Sequence, residues 1–213
     1  AILAKYKPVI PTLEKMRELY EILLKKSHGR GYLDFDAPEA EIVLDESGTP
    51  IDIIKRERGI AERMIEQFML TANEAVATYL YEREIPCVYR IHESPMPDKL
   101  SSFLTYAHNL GLDTRVINRE HPAASDFAKL LAEAEEKGIL PQLSYSMLRS
   151  MAKAKYSDEP LGHFGLVLND YAHFTSPIRR YPDLAIHRIL TDLCYNKQNT
   201  KYMQKRYAGF AKE

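Results

Sequence analysis

Residues 163–187 read HFGLVLNDYAHFTSPIRRYPDLAIH, and the turn formers, prolines and arginines of this stretch decide how the rest of the chain is read. Ser176 followed by Pro177 predicts an N-cap and a first helical residue, because proline lacks only an N–H that would be orphaned there. Arg179 and Arg180 then fall in the first turn of a helix running through Leu193, after a short strand at 164–168. Cations are disfavoured at that end of a helix, where the dipole and the free amides are already positive. Two readings stay open. An anion outweighs the repulsion, and guanidinium groups with free backbone N–H groups suit phosphate. Otherwise this is a surface helix whose arginines pair with Asp183 and Asp192. Pro182 removes one backbone bond inside that helix and predicts a distorted first turn, with free amides and carbonyls near Arg179.

Outward from this stretch, composition sets bounds. The 213 residues suffice for one domain with a sizeable core, and 45% hydrophobic with 28% charged residues is ordinary for a globular protein. No apolar run approaches the roughly 18 to 20 residues of a membrane span, and no signal peptide opens the chain. The chain does not begin with Met, which suggests a cut-out piece. Cys87 and Cys194 stand far apart, so a disulfide framework is not expected and a reducing cytoplasm is the natural compartment. A net charge of −1 does not announce nucleic acid, so any nucleic-acid contact must come from local basic patches.

In chain order, apolar residues at Leu13, Met16, Leu19, Tyr20, Leu23 and Leu24 predict an amphipathic helix over 11–27. Runs at 41–44 and 51–54 around Asp45-Glu-Ser-Gly48 predict a hairpin. The longest helical pattern, 60–83, has Ala61, Ile65, Phe68, Met69, Ala72, Val76 and Leu80 as its buried stripe. Glu62, Glu66 and Asn73 form a second, polar line on it. Residues 87–92 alternate as a strand, and helices follow at 98–110, 122–137 and 141–156, the last with a polar side of Ser144, Arg149, Lys153 and Lys155. A final helical pattern spans 200–213. The expected class is α+β, helix-dominated, with a few mostly antiparallel strands belonging to a larger sheet.

Other chemistries fit poorly. Asp34 and Asp36 offer two carboxylates where a two-metal site needs three or four, so a solvated strand edge is the simpler account. His163, His173 and His187 lie ten and fourteen residues apart, too far for tight zinc-ligand pairs, and read better as hydrogen-bonded core histidines. Ser176 lacks the base and oxyanion hole of a nucleophile. No glycine-rich phosphate loop is present.

The 25 residues from His163 through Tyr171, Thr175-Ser176-Pro177, Arg179-Arg180-Tyr181 and Asp183 to His187 resemble the signature of the ribonuclease II and ribonuclease R family of exoribonucleases. Further landmarks are Arg30-Gly-Tyr-Leu-Asp-Phe-Asp-Ala-Pro-Glu39, Ile65-Glu-Gln-Phe-Met-Leu-Thr-Ala-Asn73, Val88-Tyr-Arg-Ile-His-Glu93 and Leu148-Arg-Ser-Met151. The resemblance covers nearly all of residues 1–213, leans to the ribonuclease R side, and implies a later part of an RNB catalytic domain.

It also implies a magnesium-dependent, processive 3′-to-5′ exoribonuclease that takes single-stranded RNA to nucleoside 5′-monophosphates, with neither DNA nor membrane as partner. Arg179 matches the family arginine at the scissile or neighbouring phosphate. Arg180, Thr175 and Tyr181 are candidates for positioning or packing, Phe35 lies near a family aromatic that stacks on a base, and Glu66 matches a carboxylate orienting the terminal ribose. The family often has two adjacent glutamates where this chain has Glu66-Gln67.

In relatives the metal-binding aspartates and a tyrosine guiding the 3′ end lie upstream of Ala1, and a further active-site glutamate lies past Glu213. The piece alone is therefore expected to hold no catalytic metal, to cleave nothing, and to self-associate through surface that the missing part would cover. Two alternatives remain: a non-catalytic RNA-binding or scaffolding module with the same fold, and a helical interaction domain with no RNA role.

Overall fold

The computed structural model describes residues 5–33, 39–56 and 58–209. Phe35, with Asp34 and Asp36, lies outside them. The chain is α+β, rich in helix: α1 (Ile10–Gly29), β1 (Glu39–Leu44), β2 (Pro50–Arg56), α2 (Ile60–Tyr81), β3 (Tyr89–Ile91), α3 (Pro97–Asn109), α4 (Ala124–Glu136), α5 (Leu140–Ser150), β4 (Lys155–Ser157), α6 (Tyr181–Leu190) and α7 (Thr200–Tyr207). Short 3₁₀ turns stand at Thr114–Val116 and Phe164–Leu166, and a π-helical turn, Thr191–Tyr195, extends α6. Both two-stranded sheets are antiparallel, β1 with β2 and β3 with β4. No helix among the described residues is long and apolar enough to cross a membrane.

Two cores organise these elements. In one, Leu100, Phe103, Leu104, Phe127, Leu130 and Met147 interlock α3, α4 and α5. In the other, Leu80, Ile91, Ala172, Ile186, Ile189 and Met203 join the end of α2, β3, α6 and α7. Residues 163–187 connect the two. Phe164 packs edge-on against Phe127 of the first core at 5.7 Å. Phe174 packs against the second and stacks on the His187 ring at 4.2 Å. The backbone secures the crossing: the His92 N–H donates to Gly162, the Phe164 N–H to His92, and the Arg90 N–H to Tyr171. Gly165 must be small here, because a Cβ on it would come within 3.2 Å of the His92 ring.

The hairpin stands apart, with Ile42, Leu44, Ile51 and Ile53 exposed. Such an apolar two-stranded ribbon is not stable on propensity alone and depends on what packs around it.

Several sequence expectations are corrected. In place of a strand over 164–168 the chain forms a 3₁₀ turn, Phe164–Leu166, capped by left-handed Val167, with Leu168 bridging back to His163. The helix expected over 141–156 stops at Ser150, because residues 155–157 are taken up as β4 by pairing with β3. The helix expected from Pro177 through Leu193 begins only at Tyr181, and past Leu190 it continues as the π-helical turn. Ser176 opens a single turn, closed by the Arg179 and Arg180 N–H groups donating to the Ser176 carbonyl. That turn cannot continue, since Arg180 is extended (φ −129°, ψ 119°) and Pro182 has no N–H to offer Ile178. Pro182 therefore sits in the first turn of α6, where its missing donor costs nothing.

The face of α2 is also corrected. Ile65 of the expected buried stripe is 47% exposed, whereas Asn73 of the expected polar line is buried, as is Gln67. Asn73 Oδ1 accepts from the Phe174 and Thr175 N–H groups at 2.9 and 3.2 Å, and its Nδ2 donates to the Tyr171 hydroxyl at 3.0 Å. One buried amide on α2 thus holds three residues of the signature. Asn73→Ala would leave two backbone N–H groups buried without partners, and thermal unfolding should register a loss of about 2–4 kcal/mol, lowering Tm by roughly 5–10 °C.

Candidate nucleic-acid interface

The first part of the site is the arginine turn. Asp183, in the first turn of α6 where a negative charge complements the helix dipole, is 0% exposed. Its Oδ1 accepts from the Ser176 N–H at 2.8 Å and from the Arg180 guanidinium at 2.7 Å. Arg180 is thereby turned inward and its charge neutralised. Arg179 has no such partner among the described residues and stays exposed beside fully exposed Ile178. The division of labour between two adjacent arginines follows from one buried carboxylate. The pairing of Arg180 with Asp183 weighed from the sequence is present, but Asp192 pairs with Arg206 instead. Thr175 Oγ1, Arg180 Nε and Asp183 Oδ2 are buried without a hydrogen-bond partner in this turn. Tyr181 points outward, 62% exposed.

The second part is a cleft of about 830 Å³ between the start of α2, β3, the end of α5 and the 3₁₀ turn after His163. Arg58, Arg90, Lys99, Arg149 and Lys153 line it, with Glu66 as its carboxylate. Glu66 is half-buried and pairs with Arg58 at 3.3 Å. The side of α5 with Arg149, and Lys153 just beyond that helix, therefore border a cleft. Among the described residues no three His, Cys, Asp or Glu side chains converge in a way that could hold a metal ion, so these residues do not fit the magnesium that the resemblance implies.

Histidines join the two parts. His92 accepts from the Gly165 N–H on Nδ1 at 3.1 Å, so the proton lies on Nε2, which donates to the Ala152 carbonyl at 2.9 Å. The bond accepted on Nδ1 requires the neutral ring, and burial lowers its pKa although the Ala152 carbonyl favours the charged form. Burial, aided by the charge of Arg90 and the nearby His92, pushes His163 down to about 3. His173, hydrogen-bonded through Nδ1 to the Tyr156 hydroxyl at 2.8 Å, is pushed down to about 4 by burial and by Arg180 and Arg90. A single imidazole thus feels the arginine turn and the cleft together.

The sequence offered Arg179, Arg180, Thr175, Tyr181 and Glu66. The structure gathers the first four on one turn and sets Glu66 across the cleft. It adds Asn73, which the sequence placed only on a polar line, and Arg90, to which sequence reasoning gave no role, and it makes Asp183, a possible arginine partner in the sequence, the buried acceptor of the turn. Arg90 was legible in principle: alternation over 87–92 puts it on the face opposite buried Tyr89 and Ile91.

Histidines buried in the neutral form link stability to pH. The folded pKa values of His163 and His173 lie below the ordinary 6.5, so the unfolded chain binds more protons in the interval between. Their stabilisation is complete above about 6.5 and is lost as pH falls toward 4 and then 3. Tm should fall across that window, and His163→Gln with His173→Gln should flatten the fall. An equally steep fall in the double variant would assign it to other groups.

Comparison with known proteins accords with this geometry. The RNB domain family matches residues 3–196. Ribonuclease R 1 of Lactococcus lactis is 42% identical over 207 residues, covering 96% of this chain and 25% of that protein. Ribonuclease R of Aquifex aeolicus is 43% identical over 191 residues, covering 89% of this chain and 27% of that protein. The apo form of Mycoplasma genitalium RNase R superposes with a TM-score of 0.88 at 34% identity, over 97% of this chain and 32% of that one. The same protein has been solved with ribose-methylated single-stranded RNA and with double-stranded RNA, each matching with a TM-score of 0.87. The chain spans about a quarter of the length of the first two relatives. A match that runs through both cores, the cleft and the arginine turn shows that this chain belongs to the RNB domain family.

Proposed function

We propose that this chain is part of a magnesium-dependent, processive 3′-to-5′ exoribonuclease that hydrolyses single-stranded RNA to nucleoside 5′-monophosphates. Its own share is to grip and orient the strand. The observation that carries the reading is the juxtaposition of a cleft lined by five cations with a turn on which Asp183 neutralises Arg180 and leaves Arg179 exposed. A chain of net charge −1 that concentrates arginine and lysine in one cleft has built a local, sequence-independent site for phosphates. The bound-RNA structures of the Mycoplasma relative favour RNA as the occupant.

In this reading Arg179 meets the scissile or neighbouring phosphate, where a guanidinium is bidentate toward two oxygens and stabilises the charge that builds on them. Arg180 positions rather than reacts, because its charge is committed to Asp183. Glu66 accepts from a ribose 2′-hydroxyl, the group that separates RNA from DNA. Magnesium would lower the pKa of the attacking water, with its ligands expected outside this chain. The cytoplasm is the compartment proposed.

The test is 3′-end degradation of a labelled single-stranded oligoribonucleotide by the full-length protein with magnesium. Full-length protein should shorten it to 5′-monophosphates, Arg179→Ala should slow this by about 10²-fold or more, and the 213-residue chain should bind without cutting. A full-length protein that binds RNA and never cuts it would identify a scaffolding module instead. Glu66→Ala should weaken binding of the oligoribonucleotide by roughly tenfold while leaving the matching oligodeoxynucleotide unchanged. Equal losses for both would remove the 2′-hydroxyl contact.

A further inference from the structure

Among the cations of the cleft, Arg90 is unlike the others. Lys99, Arg149 and Lys153 are exposed, and water serves their charges. Arg58 is paired with Glu66. Arg90 is half-buried, and no carboxylate among the described residues pairs with it. Its guanidinium carbon lies 4.8 Å from the centroid of the Tyr156 ring, its cross-strand neighbour in the β3–β4 pair. The titratable groups that feel its charge are His92, His163 and His173, which have only a neutral and a positive form, and Tyr171, whose phenol burial pushes up and so holds neutral; the carboxylate of the cleft, Glu66, pairs with Arg58. A half-buried cation without an anion is costly, and an anion that enters the cleft relieves that cost. Tyr156 lays a ring face against the guanidinium, whose fork suits bidentate contact with phosphate oxygens. The backbone beneath it is held because the Arg90 N–H donates to Tyr171 of the signature at 2.8 Å.

We propose that Arg90 is the phosphate anchor of the cleft, gripping one internucleotide phosphate of a single-stranded RNA on the side that borders the arginine turn, with Tyr156 holding its guanidinium in place. This rests on the reading of the cleft as an RNA site. Arg90 then takes a phosphate distinct from the one at Arg179, and the strand spans from the cleft to the turn past His173.

Fluorescence anisotropy of a labelled oligouridylate with this chain, across a series of NaCl concentrations, tests it. Arg90→Gln should bind about tenfold more weakly, with a log–log salt slope shallower by about 0.7, the value of one phosphate contact on a single strand. Arg90→Lys should keep the slope and lose about threefold in affinity, since the charge remains and the fork does not. Arg83→Gln, which removes an exposed cation stacked on Tyr79, should change neither. A folded Arg90→Gln with unchanged affinity and slope overturns the anchor and leaves the RNA reading standing. A wild-type chain that does not bind overturns the RNA reading and the anchor with it. Should Arg90→Gln not fold, phenylglyoxal modification of the wild-type chain, read by mass spectrometry, still decides: RNA should protect Arg90 and not Arg83. Modification of Arg90 that RNA does not slow overturns the anchor.

Discussion

Two buried polar side chains, Asn73 on α2 and Asp183 on α6, hold the signature segment from opposite ends. Asn73 satisfies the backbone N–H groups of Phe174 and Thr175, and Asp183 satisfies that of Ser176. Three consecutive amides are thus bonded to side chains rather than to a helix or a strand. Buried amides cannot be left unpaired without a cost of about 1–3 kcal/mol each, so the loop is specified by its donors as firmly as regular structure would be. The position of Arg179 depends on this arrangement. With Arg180 drawn inward by Asp183, the next guanidinium along the chain is the one left to face an incoming anion.

The electrostatic design is local. Acidic and basic residues nearly cancel over the chain, and many surface cations are spent on neighbours, as in Lys15 with Glu18 and Lys137 with Glu133. Such exposed pairs contribute little. The cleft differs because its cations outnumber its single carboxylate and because three histidines beside it are kept neutral by burial. A neutral imidazole gives hydrogen bonds and ring surface without adding repulsion between neighbouring arginines. The hydrogen bonds of His92 to Gly165 and Ala152 fix its tautomer and tie β3, the 3₁₀ turn and the end of α5 into one wall.

Crossing between two cores gives the segment its reach. Phe164 belongs to the three-helix core of α3–α5 and Phe174 to the core around α2, β3, α6 and α7. The cleft lies where the two meet, so the residues lining it are drawn from elements far apart in the chain. Leu33 and Met151 of the first core form part of the cleft wall, so the packing of that core and the lining of the cleft share side chains.

The sequence by itself determined the helix-dominated α+β class, the hairpin, the major helices to within a few residues, and the family resemblance. Those follow from periodicity, turn residues and a long irregular motif, all local properties. It also singled out the arginine pair. What it could not supply was which polar residues are buried. Asn73 and Glu66 share a line on α2, yet one lies in the interior and the other on the rim of a cleft, and only the packing of residues 171–175 against α2 separates them. The start of α6 was misplaced by one turn because the competition between Ser176–Pro177 and Arg180–Pro182 as a helix start is settled by Asp183, whose side chain bonds back across the gap. Arg90 was readable as the outward residue of a short strand, but that no carboxylate among the described residues pairs with it is a property of everything around it. Local pattern fixes where a backbone turns. Burial, pairing and the absence of pairing arise only when distant segments meet, and tertiary structure alone decides them.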